Sequence, residues 1–203
     1  VVVREPFRPT MWTYDVDTDT WTEIDQGAIL PPALVGPYTE LTVPQHEGVD
    51  AVLLLAYDAS VDRLILYIES EFADNYFVGT WEFDIRTGRW EEQQTNTPKD
   101  PGLTYATGGR FVYDEANQVS VLFANLYFAS SYLASYDAAE HSWTVVPHES
   151  YAAVGESAEI SGMTYDPVNE RIVTIVGDEP RADVIAYDVA TGEWITLIEP
   201  TTE

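Results

Sequence analysis

The chain contains no cysteine, and only one of its 203 residues, Lys99, is a lysine. The absence of cysteine excludes disulfides, thiolate metal sites and a cysteine nucleophile, and it fits either redox compartment. Long hydrophobic runs are also missing, because charged residues interrupt even the richest stretch, 49–68. No segment therefore reaches the roughly 18 apolar residues of a membrane-spanning helix, and no stretch has helical periodicity. These absences predict a soluble protein without helices.

Basic residues are scarce as well: 35 acidic side chains oppose nine basic ones, for a formal net charge of −26. Such a surface repels nucleic acid and anionic membranes, so neither is expected as a partner. The acids either form a solvated coat suited to high salt or gather into a site for a cation or a basic partner. Because they are scattered through every repeat, we favour the coat and a halophilic or marine source.

The chain begins with Val1 rather than methionine. We therefore expect a leader or a longer N-terminal region to have been removed. An extracellular or cell-surface location is expected, although a signal peptide cannot be judged from the residues present.

What the sequence does contain is one phrase repeated about every 50 residues, in which an aromatic residue followed by Asp ends a strand. Three such pairs lie in the first half of a repeat, at Tyr57-Asp58, Tyr113-Asp114 and Tyr165-Asp166. Four lie in the second half, at Tyr14-Asp15, Phe83-Asp84, Tyr136-Asp137 and Tyr187-Asp188. In each second half a tryptophan follows the aromatic residue by seven positions, at Trp21, Trp90, Trp143 and Trp194. This constant spacing predicts one hairpin used repeatedly.

The chemistry of each phrase predicts a tight turn. An Asp at a strand end accepts hydrogen bonds from backbone N–H groups two or three residues later and so starts the turn. Gly88 and Gly192 stand where a left-handed backbone is expected. The tryptophan and the aromatic residue before Asp are large enough to fill the space between neighbouring sheets. Apolar strands between the two halves, at 64–68, 119–123 and 172–176, are expected to be buried on both faces.

Four short strands in a repeat of this length indicate a β-propeller, in which each repeat is one blade with strands A to D running from centre to rim. We therefore predict an all-β fold of about three and a half four-stranded blades, whose ring is incomplete in this chain. The expected units are a partial blade (strands B to D) at 1–24, a proline-rich crossover at 25–48, a blade at 49–95, and a crossover with a blade at both 96–147 and 148–203.

The repeat resembles that of kelch-type β-propeller proteins, especially the bacterial kelch repeats that are similar to the central propeller domain of galactose oxidase. The residues that carry this resemblance are Met163, Tyr165, Asp166 and 171–176 in a first half, and Trp81, Phe83, Asp84, Thr87 and Trp90 in a second half. The double glycine that follows strand B in the family is absent here. The resemblance implies a binding platform more often than an enzyme. The copper chemistry of the oxidase members needs a cysteine that this chain lacks.

Two patterns suggest a metal site, and each has a structural interpretation that we favour. Asp15, Asp17 and Asp19 begin like a calcium loop, but Thr20 and Gln26 stand where an EF-hand has Gly and Glu. The segment also aligns with the ordinary hairpin at 188–194. The three histidines lie in different places, with His141 in a hairpin turn. We therefore expect no metal, no other cofactor and no catalytic residue.

Loop positions are the better candidates for binding. In an antiparallel blade the A–B and C–D turns emerge on one face, and the B–C loops and D–A crossovers on the other. The second face is irregular and aromatic, and variable loops on a rigid scaffold usually carry binding. Its candidate ligand-binding residues are Tyr38, His46, Phe72, Tyr76, Phe77, Tyr127, Phe128, Tyr132, His148 and Tyr151. These side chains would stack on sugar rings or contact a protein; packing of the loops or of a blade–blade seam explains them equally well.

The sequence thus favours a non-enzymatic binding or assembly module with a protein or glycan partner on the aromatic loop face. One alternative is a fragment of a secreted carbohydrate-active enzyme whose catalytic groups lie in missing blades. Another is a structural, self-assembling subunit that pairs through its open blade edges, because exposed strand edges are templates for pairing. Under each of these, missing blades or another copy would cover the open edges.

Overall fold

The computed structural model describes residues 11–24, 51–72, 75–96, 109–124, 132–146, 160–177 and 182–198. These segments contain fourteen β-strands and no helix, so nothing helical in the described part of the chain has the length and apolarity to cross a membrane. The strands form three four-stranded antiparallel sheets and one two-stranded hairpin, and these sheets do not close a ring. The predicted all-β propeller class, with about three and a half blades, is confirmed.

Each sheet is built from strands that follow one another in the chain. The N-terminal hairpin consists of β1 (Met11–Asp15) and β2 (Thr20–Ile24). Sheet one consists of β3 (Ala51–Asp58), β4 (Arg63–Phe72), β5 (Asn75–Asp84) and β6 (Arg89–Gln93). Sheet two consists of β7 (Arg110–Asp114), β8 (Val119–Ala124), β9 (Tyr132–Asp137) and β10 (Ser142–Val146). Sheet three consists of β11 (Ile160–Asp166), β12 (Arg171–Val176), β13 (Asp183–Asp188) and β14 (Glu193–Ile198).

The three sheets pack side by side, and the first strand of each sheet contacts the first strand of the next, β3 with β7 and β7 with β11. Two buried seams result. The seam between sheets one and two contains Ile65, Tyr67, Leu122, Tyr136 and Trp143. The seam between sheets two and three contains Val121, Phe123, Leu133, Ile160, Ile172 and Tyr187. The apolar strands of sheets one and two are buried on both faces, at 65–68 and 121–123, whereas β12 of sheet three has one more exposed side.

All seven hairpins predicted from the aromatic-Asp pairs use the same turn. The Asp carboxylate accepts backbone N–H groups two or three residues later, as Asp84 does from Arg86 and Thr87 at 2.8 and 3.0 Å. When the Asp is counted as the first residue of the turn, the fifth residue has a positive φ, which is 66° in Gly88 and 74° in Gly192. In the other five turns this left-handed residue is not glycine: Asp19, Asp62, Gln118, His141 and Glu170. The turn therefore imposes a strained conformation that only two of the seven relieve with glycine.

The seven-residue spacing between aromatic residue and tryptophan follows from this turn. Four residues separate the paired residues Asp188 and Glu193, so the next pair outward, Tyr187 and Trp194, has its two rings directly opposite each other. The four ring pairs have centroids 4.8 to 5.1 Å apart. Cross-strand aromatic contacts of this kind stabilise a hairpin. The aromatic residues that were predicted to pack thus form one ring pair across each second-half hairpin.

Trp143 also joins sheet two to sheet one. Its indole Nε1 donates to the hydroxyl of Thr80 on β5 at 2.8 Å, and both groups are buried. Asn96, which follows β6, pairs with the backbone of Trp143: the Asn96 amide donates to the carbonyl and accepts from the N–H, both at 3.1 Å. Because β10 is the outer strand of sheet two, this side chain occupies backbone groups that none of the described strands pairs with.

Candidate functional site

The hairpin β4–β5 is the most extended element of the described chain. Each of its strands has ten residues, whereas β8 and β9 of sheet two have six. Pairing continues from Ser70–Phe77 to Phe72–Asn75, while the neighbouring strand β3 begins opposite Ser70. Among the described residues, the end of β4–β5 (70–72 and 75–77) extends past the start of β3 as a two-stranded projection, which we call the projecting hairpin.

The projecting hairpin corrects the predicted position of three candidate residues. Phe72, Tyr76 and Phe77 were expected in an irregular B–C loop, but Phe72 is the last residue of β4 and the other two lie in β5. Aromatic residues favour extended backbone, and only two residues separate the strands, so pairing continues to the tip. Tyr132, expected in the next B–C loop, is likewise the first residue of β9.

The structure brings three of the ten candidate binding residues onto one hairpin and places Tyr132 on a different sheet. The remaining six lie outside the described residues: Tyr38, His46, Tyr127, Phe128, His148 and Tyr151. Their expected grouping on one face of the propeller stays a prediction. The backbone thus places three candidate residues in one hairpin, at the end of sheet one where the B–C connection emerges.

A second cluster contains the chemistry-bearing residues that sequence reasoning missed. The carboxylate of Glu82 on β5 is completely buried between sheets one and two. It accepts a hydrogen bond from the Tyr136 hydroxyl at 2.7 Å and lies 3.0 Å from His141 Nδ1, both from sheet two. Arg63, from the neighbouring strand of its own sheet, forms an ion pair with it. We call these four residues the glutamate cluster.

The charges of the glutamate cluster hold sheets one and two together. Burial, followed by the hydrogen bond to Glu82, raises the pKa of Tyr136 far above its usual range, so the phenol stays a proton donor. The same carboxylate raises the pKa of Arg63. A buried carboxylate is tolerated when its oxygens are paired in this way. The sequence offered one signal for this cluster. Glu82 is an acid at a strand position where the aligned residues of sheets two and three are Ser135 and Ala186.

The Asp-rich segment of the N-terminal hairpin forms the ordinary turn that we favoured over a calcium loop. Asp15 accepts the N–H groups of Asp17 and Thr18, each at 2.9 Å, and Asp19 accepts the Tyr14 hydroxyl at 2.6 Å. These carboxylates are therefore used within the turn. Among the described residues, no group of three or more His, Asp or Glu side chains is placed to hold a metal ion.

In sheets two and three, a tyrosine on the first strand reaches the preceding blade. The hydroxyl of Tyr165 on β11 accepts the N–H of Ala116, in the β7–β8 turn of sheet two, at 3.1 Å. Tyr113 on β7 lies in the same way against Asp58 and Ser60 in the β3–β4 turn of sheet one. The aligned residue Tyr57 instead donates to Asp62 of its own turn at 2.8 Å. In both seams, the tyrosine of the later blade therefore contacts the first turn of the blade before it.

The outer side of sheet three carries an apolar surface. Its large apolar members alternate with the seam residues along three paired strands and are half-buried or exposed, whereas the small Ala186 on the same side, between Val173 and Ile195, is fully buried. We call this surface the end face, and it consists of Val173, Ile175, Val184 and Ile195. Sequence reasoning predicted open edges but not this face, because an apolar strand residue is expected to be buried.

No protein-family model and no curated protein sequence matches the chain. Among solved structures, the chain is similar to TolB from Acinetobacter baumannii, with 14% identity, a TM-score of 0.50, and coverage of 97% of this chain and 39% of that one. It is also similar to a beta-fructofuranosidase from Schwanniomyces occidentalis complexed with fructosyl-erythritol, with 13% identity, a TM-score of 0.47, and coverage of 75% and 34%. The chain thus spans well under half the length of either protein. Together with the three four-stranded sheets, the likeness to TolB, a β-propeller protein, shows that this chain has the β-propeller fold.

Proposed function

We propose that the chain is a non-enzymatic binding or assembly module built on a kelch-like propeller. The kelch type is supported by the repeated aromatic-Asp-tryptophan phrase, whose turn and ring pair recur in all four second-half hairpins. Such a scaffold presents connections of variable length on one face of rigid sheets, and binding usually lies there.

The observation that carries the proposal is the projecting hairpin. Its described strands continue four residues beyond those described for the matching hairpin in sheet two, and they extend past the described start of β3. It bears Phe72, Tyr76 and Phe77 within six residues. Aromatic side chains provide large contact areas for sugar rings or protein surfaces.

The buried Glu82 and the turn aspartates serve the scaffold of the described sheets, which favours a binding role for these residues over a catalytic one. Glu82 is buried and fully engaged by sheet two and Arg63. The turn aspartates hold backbone N–H groups, as in the hairpin of Asp84. A general acid or base must reach a substrate, and these carboxylates are committed to the scaffold. The competing proposal, a fragment of a carbohydrate-active enzyme, would place its catalytic groups in other blades.

The test is binding without turnover. The full chain is titrated with a panel of neutral and anionic polysaccharides by calorimetry, and reducing ends are assayed in the same samples. We expect binding without new reducing ends, and we expect the double variant Tyr76→Ala/Phe77→Ala to bind about tenfold more weakly or worse.

The matched control is Trp21→Ala, which removes an exposed aromatic side chain from the N-terminal hairpin and should leave affinity unchanged. Release of reducing ends by the chain alone would contradict the non-enzymatic proposal. Equal binding by the double variant and the parent would exclude the projecting hairpin as the site.

A further inference from the structure

The ring pair of the N-terminal hairpin differs from the other three in exposure. In the four-stranded sheets the aromatic residue of each pair is 4% exposed or less, at Phe83, Tyr136 and Tyr187. In the N-terminal hairpin, Tyr14 is 44% exposed and Trp21 is 65% exposed, although their ring centroids are only 4.9 Å apart. Two large aromatic rings therefore lie side by side in contact with water, and exposed apolar surface of this kind marks a contact surface.

Carboxylates flank this ring pair at both ends. At the turn, one oxygen of Asp19 accepts the Tyr14 hydroxyl at 2.6 Å, and no described residue hydrogen-bonds to the other oxygen. Away from the turn, the exposed Glu23 follows Trp21 by two residues and so lies on the same side of β2. Residues 11–24 contain four acids and no basic side chain. The hairpin thus combines aromatic faces with negative charge that it does not balance itself.

The turn itself does not require a carboxylate beside the rings. Its backbone N–H groups are held by Asp15, which accepts those of the second and third residues that follow it. In the second-half turns of sheets one and three, glycine stands at the position of Asp19, at Gly88 and Gly192. Those turns form the same hairpin without this acid, so its presence needs an explanation other than folding.

From this we infer that the ring pair of the N-terminal hairpin is a docking surface for an arginine-bearing segment of a partner protein. A guanidinium group is planar, so it stacks on an aromatic face and pairs with a carboxylate beside that face at the same time. Asp19 and Glu23 supply such carboxylates at the two ends of the ring pair. The net charge of −26 acts in the same direction, because it attracts a basic partner and repels a second copy of the chain.

The test is a calorimetric titration of the full chain with a capped peptide in which three arginines alternate with glycine. The matched probe replaces each arginine with citrulline, which has nearly the same shape and no charge. We expect the arginine peptide to bind about tenfold more tightly than the citrulline peptide. Its affinity should fall as sodium chloride is raised from about 0.1 M to about 1 M, because salt screens exposed charges.

Two variants test the surface itself. Trp21→Ala removes one ring and should weaken binding of the arginine peptide about fivefold or more. It also removes the ring contact that stabilises the hairpin, so a second variant leaves both rings in place. Asp19→Asn keeps an acceptor for the Tyr14 hydroxyl and a residue type that tolerates left-handed backbone, and it removes only the charge. It should weaken binding about threefold.

The matched control is Asp62→Asn, in the β3–β4 turn. Asp62 also has a positive φ, of 55°, and also accepts a tyrosine hydroxyl, from Tyr57 at 2.8 Å. Opposite that tyrosine, however, stands Leu64 instead of a tryptophan. The control removes the same charge from the same turn position without an aromatic pair beside it, and it should bind the arginine peptide as the parent does.

Equal affinity for the arginine and citrulline peptides would overturn the inference. Equal weakening by Asp19→Asn and Asp62→Asn would do so too, since only the overall charge would then attract the peptide. A loss of polysaccharide affinity in Trp21→Ala would assign the rings to a glycan, and a dimer that Trp21→Ala dissociates in sedimentation would assign them to a second copy; both results contradict an arginine-bearing partner. Failure of the polysaccharide assay at the projecting hairpin leaves the peptide titration unaffected, because the two experiments use different hairpins and different probes.

Discussion

At the scale of single residues, the fifth position of each turn is the most demanding in the described chain. It takes a left-handed backbone in seven turns, and non-glycine residues accept that conformation at five of them. Left-handed backbone costs an L-residue roughly 1–2 kcal/mol. The turn survives this cost because the Asp carboxylate and the paired strands hold it from both sides.

The glycine at this position gives a direct test. Gly88→Ala should lower the free energy of unfolding by about 1 kcal/mol, because its φ is 66°. A β-carbon there would meet no other atom within 4 Å, so the backbone alone is responsible. Glu170→Gly should act in the opposite direction by a smaller amount, since glycine also gains freedom in the unfolded chain. Urea titrations measure both; a neutral Gly88→Ala would contradict the strain argument.

The turn aspartates predict a pH dependence. The backbone N–H of Thr87 holds the pKa of Asp84 below its ordinary value, and the amide of Asn169 does the same for Asp166. A carboxylate whose folded pKa is depressed stabilises the fold above its unfolded pKa of about 3.9, and that contribution is lost as the pH falls through the folded value.

The measurement compares the parent with Asp84→Asn, because protonation of the many surface acids also relieves repulsion as the pH falls. We expect the difference in free energy of unfolding between the two proteins to be constant at neutral pH and to shrink below about pH 4. A difference that is the same at pH 2 and pH 7 would show that the Asp84 carboxylate is not stabilised by its turn.

At the scale of elements, the hairpins and strands were predictable and the joints between them were not. The Tyr14-Asp15 to Trp21 spacing is a local pattern, and the turn that produces it involves contiguous residues. By contrast, Glu82 meets Tyr136 and His141 across 54 and 59 residues of sequence. A buried acid looks the same in a sequence as an exposed one, particularly in a chain with 35 acidic residues.

The glutamate cluster predicts a graded series of variants. Glu82→Ala leaves Arg63 and the Tyr136 hydroxyl without their acceptor and should cost about 3–5 kcal/mol. Tyr136→Phe removes one hydrogen bond to a charged group and should cost about 1.5–3 kcal/mol. The exposed Glu92 serves as the control, and Glu92→Gln should change the free energy of unfolding by less than about 0.5 kcal/mol.

A double-mutant cycle of Tyr136→Phe with Glu82→Gln isolates the interaction between sheets one and two. Urea unfolding of the four proteins supplies the coupling energy, which should be clearly favourable. A coupling energy near zero would mean that the cluster fills the seam without joining the two blades.

The connection between β4 and β5 was also predicted incompletely from local sequence patterns, because they did not show where the two strands end. The aromatic residues from Phe72 to Phe77 suggested a binding loop, but those residue types also favour strands. Pairing between β4 and β5 decides the outcome, and it depends on the register of the whole hairpin. The residues of the candidate site were thus named from sequence, while their arrangement as a projection was not.

At the scale of the whole molecule, residues at aligned positions differ in burial, because some sheets have a neighbouring sheet beside them and others do not. Phe123 is completely buried in the seam with sheet three, whereas Ile175 occupies the equivalent position on the end face. Phe123→Ala should cost about 3–5 kcal/mol. Ile175→Ala should cost clearly less in the monomer, because much of its surface is already in water.

Both substitutions are measured by urea unfolding at a concentration low enough to keep the chain monomeric. Equal losses would mean that Ile175 is buried within a single chain. In that case the end face would not be a free surface, and the difference between the blades would have to be sought elsewhere.

The pairing of Asn96 with Trp143 has a consequence for solubility. A strand at the border of a sheet offers unpaired N–H and C=O groups that can recruit foreign strands and start aggregation. The Asn96 amide occupies one such donor and one such acceptor on β10, so it blocks the second residue of this five-residue edge strand. The chain that leaves one blade thereby shields the rim of the next.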